Sequence, residues 1–118
     1  MDEQAFKHRT KQLSLRVIRL VEALPPKPSA QVIGKQLLRS ATSVGANYRA
    51  ACRAKSKPDM INKLKIVEEE ADETLYWLEL LVEAELISET RLKDLMAETN
   101  EIIAMTVSSI KTLRQKKT

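Results

Sequence analysis

The sequence is short of the residues that build sheets, loops and cross-links. It has two glycines, four prolines and one cysteine, and aromatic residues fill only 3% of its 118 positions. Scarce glycine and proline leave few turn formers for a meander of strands and no glycine-rich loop to cradle a nucleotide's phosphates. One cysteine excludes an internal disulfide, and a single cysteine with a single histidine excludes a Cys/His zinc site. Every apolar stretch is broken by charge within a few residues and the first ten residues are polar, so no membrane or targeting segment is expected and the chain reads as cytosolic. What remains is 43% hydrophobic and 31% charged, enough for the core of one domain, and all-α is the expected class.

The net charge of +4 hides a division. Residues 1–65 hold 14 basic against four acidic residues, +10, whereas residues 66–118 hold six basic against 12 acidic, −6. Such polarity suits a nucleic-acid face, a head-to-tail contact between subunits, or pairing between neighbouring helices of one bundle.

Apolar residues recur at three-and-four spacing in four segments, which predicts helices over about 3–24, 30–54, 58–84 and 89–114. Pro25-Pro26-Lys27-Pro28 ends the first, and Ser29 is the expected cap of the second. Gly34 and Gly45 fall inside the second helix, where a close approach of another backbone would account for both. Ser56-Lys57-Pro58-Asp59 reads as the start of the third, and Ser88 as the cap of the fourth. Four helices of 20 to 28 residues with short breaks pack as an antiparallel up-down-up-down four-helix bundle. On the third helix Tyr76, Trp77, Leu80 and Leu81 widen the apolar surface, so Tyr76, Trp77 and Leu80 are candidates for a subunit interface, against the plainer reading of a bulky local core.

Three constellations carry chemistry. The run Glu68-Glu69-Glu70-Ala71-Asp72-Glu73 lacks the Glu-x-x-His pairs of a di-iron bundle, so no metal and no cofactor is expected. Arg39, Ser43 and Asn47 recur every four residues beside the apolar seam of the second helix, which predicts a polar layer with Glu70 and Glu73 and an ion pair from Arg39 to one of them. Basic residues gather in the first half, chiefly Lys11, Arg16, Arg19, Lys35, Arg49, Arg53 and Lys55, with Lys7, Arg9, Lys57, Lys63 and Lys65 in the same set. Only Tyr48 is interleaved among them, so any RNA or DNA contact would be to phosphates, weak in sequence preference and steeply salt-dependent. No nucleophile stands beside a base, Cys52 reads as a small core residue, and no enzyme is expected.

The segment Lys35 to Leu81 resembles the four-helix bundle family of 23S rRNA intervening-sequence proteins. The resemblance is carried by Arg39-Ser40-Ala41, Ser43 and Asn47-Tyr48-Arg49-Ala50-Ala51, then Lys63-Leu64, then Glu69-Glu70-Ala71-Asp72-Glu73-Thr74 with Tyr76-Trp77-Leu78. It implies a small cytosolic bacterial protein, a four-helix bundle assembled as a ring-shaped homopentamer, with no enzyme activity to carry over. By position Arg39, Asn47, Glu70 and Glu73 match the family's characteristic polar residues. Some relatives are encoded by insertions in large-subunit rRNA genes. A distant relative of similar fold, the accessory variability determinant of diversity-generating retroelements, binds nucleic acid and a reverse transcriptase. Two functions therefore compete: a nucleic-acid-associated homo-oligomer, or a structural module that binds a protein partner.

Overall fold

The computed structural model describes residues 2–116, and within them each periodic segment is a helix. The order is α1 (Glu3–Glu22), α2 (Pro28–Cys52), α3 (Lys57–Glu83) and α4 (Glu89–Gln115). Short turns fold successive helices back on one another, and the up-down-up-down bundle measures 52 × 21 × 20 Å.

The ends show how local chemistry starts and stops each helix. Asp2 caps α1 by accepting from the Gln4 N–H, and Ser56 caps α3 by accepting from the Asp59 N–H. At α2 the expectation of a Ser29 cap is corrected: Lys27 occupies the cap position and Pro28 is the first helical residue, where its missing N–H costs nothing. Ser88 stands at the cap of α4 without a side-chain hydrogen bond. Beyond α3, Glu85 is the single non-glycine residue at positive φ (59°) among those described. The Leu86 N–H donates to the Leu81 carbonyl and the Glu85 N–H to Val82, the paired bonds of a Schellman turn.

The core runs the length of the bundle. Phe6, Leu13 and Val17 from α1 meet Leu37, Ala41 and Val44 from α2, Leu64, Val67, Ala71, Leu78 and Leu81 from α3, and Leu92, Ile102 and Ile110 from α4. Leu81 thus belongs to the protein's own core and adds nothing to an outer apolar face. Four threonines share this interior. Thr74, Thr99 and Thr106 each donate to the carbonyl four residues back, and Thr10 to the one three back, so their buried hydroxyls are satisfied by their own helices.

Of the two glycines, only Gly45 sits under a backbone, a Cβ there lying 3.4 Å from the Thr10 carbonyl oxygen. Gly34 instead makes room for the side chains of Leu24 and Val21 from the same turn region, not for a backbone. The approach at Gly45 seats α1 close along α2, where Ser14 donates across to the Ala41 carbonyl. No helix among the described residues is long and apolar enough to cross a membrane.

Candidate nucleic-acid interface

Where α1 and α2 run side by side, small residues keep the seam shallow and long residues rise on both flanks. The result is a cleft of about 660 Å³, walled on the α1 side by Lys7, His8 and Lys11 and on the α2 side by Arg49 and Arg53. Its floor is Ser14, Thr42, Gly45 and Ala46, and Gln4 closes one end. Periodicity creates the two walls: 4, 7, 8 and 11 share one face of α1, and 42, 46, 49 and 53 one face of α2. No acidic side chain lines the cleft. Lys7 pairs with Glu3 at 3.7 Å, while Lys11, Arg49 and Arg53 make no ion pair among the described residues.

Several expected members stand elsewhere. Lys35 lines a separate cleft of about 310 Å³ at the other end of the α1–α2 seam, with Leu24, Pro25 and Gly34. Lys55 lies at the α2–α3 turn, where its backbone N–H donates to Asp59 and its neighbour Lys57 binds the Lys116 carbonyl. Arg16 and Arg19 sit further along α1, outside the cleft. Arg9 is drawn away altogether. Its Nε and Nη2 meet the two oxygens of Glu98 at 2.9 and 2.7 Å, Nη2 also reaches Glu101 at 3.1 Å, and Nη1 reaches the Met105 sulfur at 3.0 Å. Its hydrogen bonds to Glu98 hold the guanidinium even more firmly protonated than usual.

On the other side of α2, Arg39 reaches both carboxylates of α3, Nη1 to Glu70 at 3.2 Å and Nη2 to Glu73 at 2.5 Å. Arg39 holds the Glu73 carboxyl below its ordinary range, with help from the Trp77 indole N–H, 3.3 Å away. The other oxygen of Glu70 is buried without a hydrogen-bond partner. Ser43 and Asn47 do not join this layer: the Asn47 amide donates to the Ser43 carbonyl and hydroxyl, along α2 itself. The buried polar contact between these helices is instead Thr74 Oγ1 with Ser40 Oγ, 2.9 Å, both fully covered, the Thr74 proton being shared between Ser40 and the Glu70 carbonyl of its own helix. Sequence reasoning passed over Ser40 because a lone serine in an apolar seam carries no periodic signal. Of the proposed interface residues, Tyr76 is 52% exposed, whereas Trp77 and Leu80 are half-buried and Tyr76 packs edge-on against Trp77.

Ion pairs within the molecule therefore engage only Lys7, Arg9 and Arg39 of the first half's cations among the described residues. No group of three His, Cys, Asp or Glu is placed to hold a metal ion there. Burial raises the Cys52 thiol above its ordinary value, so it stays protonated at neutral pH.

Four antiparallel helices with a cationic seam define the class, a small helical-bundle protein whose most distinctive surface is basic. The chain belongs to the 23S rRNA-intervening sequence protein family, whose model matches residues 3–108. It is similar to a solved protein of unknown function from the S23 ribosomal protein family of Bacteroides thetaiotaomicron VPI-5482, with 39% identity and a TM-score of 0.87 over 94% of this chain and 99% of that one. No curated protein matches it. Neither the family's description nor the solved relative's names a catalytic activity.

Proposed function

We propose that this is a non-enzymatic cytoplasmic protein that binds the phosphate backbone of nucleic acid in the α1–α2 cleft. One observation carries the reading: four cationic side chains face one another across a shallow seam with no carboxylate among them, in a molecule whose charge would have allowed them to be paired. Lys11 on one wall and Arg49 and Arg53 on the other, without ion-pair partners among the described residues, form an electrostatic trough for a polyanion, and Lys7 shares its charge with Glu3. The absence of aromatic residues from the cleft makes contact with phosphates, not stacking on bases, its chemistry.

Gel-shift or fluorescence titration at varied salt tests this. Four phosphate contacts give a slope of log K against log salt near −3.6, about a hundredfold loss between about 50 and 200 mM. A Lys11→Gln, Arg49→Gln, Arg53→Gln variant should lose most binding and most of the slope while keeping its thermal stability. No binding at low salt by the wild-type protein overturns the proposal.

A second surface supports self-association. Tyr76, exposed on α3 beside Trp77 and Leu80, is an apolar contact on an otherwise acidic face, complementary in charge to the α1–α2 side. We place these three residues between copies of the chain, in the homopentamer implied by the family resemblance, where repetition around a ring multiplies a weak cleft into strong binding. Light scattering should then give an oligomer for the wild type and a smaller species for Tyr76→Glu. The competing reading, a scaffold for a protein partner, predicts capture of that partner after nuclease treatment and no binding to purified RNA or DNA.

A further inference from the structure

The cleft floor has a directionality that its walls do not. Thr42 Oγ1 donates to the Leu38 carbonyl at 2.7 Å and lies 3.2 Å from that of Arg39. Ser14 Oγ donates to the carbonyls of Ala41 at 3.2 Å and Thr10 at 3.4 Å. A hydroxyl has one proton and two lone pairs. Both protons point into the protein, so what these half-buried side chains offer the cleft is acceptor lone pairs. Of the rest of the lining between the walls, Gly45 and Ala46 offer no side-chain polar atom, and the buried Thr10 hydroxyl commits its proton to the Lys7 carbonyl.

A phosphate is acceptor-only and finds no partner on such a floor. Its place is on the walls, at Lys7, Lys11, Arg49 and Arg53. What the floor can bind is a donor lying between lines of phosphate, and the ribose 2′-hydroxyl is that donor. The minor groove of an A-form RNA helix is wide and shallow, displays its 2′-hydroxyls and is edged by phosphates. Across the seam the protein presents cations, acceptors and cations; across that groove the RNA presents phosphates, hydroxyl donors and phosphates. The two walls stand on neighbouring helices whose axes lie about 8–10 Å apart. Deoxyribose has nothing to give Thr42 and Ser14, and a single strand would expose bases that no aromatic residue here can stack.

Resting on the backbone-binding reading above, we infer that the α1–α2 cleft selects helical RNA over duplex DNA, with Thr42 and Ser14 accepting from 2′-hydroxyls while the flanking cations hold phosphates. The test is competitive binding at low salt with a short RNA duplex, a DNA duplex of the same sequence and the corresponding single-stranded RNA. RNA duplex should bind about five- to tenfold more tightly than DNA duplex, the effect of one or two added hydrogen bonds. Thr42→Val keeps the shape and removes the acceptor, and should reduce the preference without weakening DNA binding; Ser14→Ala with Thr42→Val should bring the ratio near one. Lys11→Gln should weaken both duplexes alike. Ser14 also ties α1 to α2, so Thr42→Val alone decides the matter if the double variant unfolds. Equal binding of the two duplexes, or a preference that survives Thr42→Val and the folded double variant, overturns the inference and leaves backbone binding standing. Tighter binding of the single strand overturns the choice of helical RNA. Binding to none of the three overturns this inference and the proposed function together.

Discussion

Arg39 shows how one side chain can serve two partners and depend on pH for its value. It bridges Glu70 and Glu73, and its neighbour carboxyl at Glu73 titrates below the ordinary value of 4.5. A carboxylate whose folded value is depressed contributes stability that is complete above the unfolded value and drains away as pH falls toward the folded one. Arg39→Ala should therefore lower the melting temperature at pH 7, and the gap to wild type should narrow as pH falls below about 4.5 toward the lower value at which Glu73 takes up its proton. Thermal melts of the two proteins across pH 3 to 7 would check this, and a gap that does not change with pH would contradict it. The pairing was legible because an arginine on one helix faced a carboxylate run on the next. Ser43 and Asn47 misled for the opposite reason: an i, i+4 polar pair can satisfy itself along its own helix, and spacing alone does not separate that from a bond across.

The helices themselves were legible, with bounds within two residues of those observed, since three-and-four spacing reports a buried stripe directly. Their ends were less so, because an end depends on backbone geometry that several residues can adopt. Pro28 enters α2 as its first residue, and Glu85 takes a left-handed conformation that glycine usually supplies. With no glycine after Val82, nothing in the sequence marks that turn. Glu85 bears a cost of about 1 kcal/mol or more for its position. Glu85→Gly should relieve it and stabilise the protein by roughly 0.5–1 kcal/mol, after allowing for glycine's greater freedom when unfolded. Urea denaturation would register this as a higher midpoint at unchanged slope; a lower midpoint would show that Glu85 is unstrained.

Across the whole molecule, the four seams are unequal. α1 lies along α2 with an interhelical hydrogen bond and a glycine contact, but touches α4 at few places, of which Arg9 to Glu98 and Glu101 is the polar one. Beside it the α1–α4 seam stays open as a cleft of about 540 Å³ between Glu3, Tyr48, Met60, Met105 and Leu113. Arg9→Gln should cost roughly 1 kcal/mol, a charge-assisted bidentate pair at a half-buried site. Hydrogen exchange should speed up in α1 and the facing part of α4, with α2 and α3 little changed. Uniform acceleration in all four helices would mean that Arg9 supports the bundle globally. This tie was invisible in the sequence: Arg9 reads as one more surface cation, and its partner lies 89 residues away.

The shallow meeting of α1 and α2 at Gly45 reaches further than packing. Both walls and the floor of the basic cleft belong to one helical hairpin joined by five residues, so the whole cleft is built from one contiguous stretch of chain, from Gln4 to Arg53. α3 and α4 act as its foundation. Substitutions on the outer faces of α3 and α4 therefore leave the cleft's own residues untouched, whereas a change in the hairpin falls within the segment that builds it.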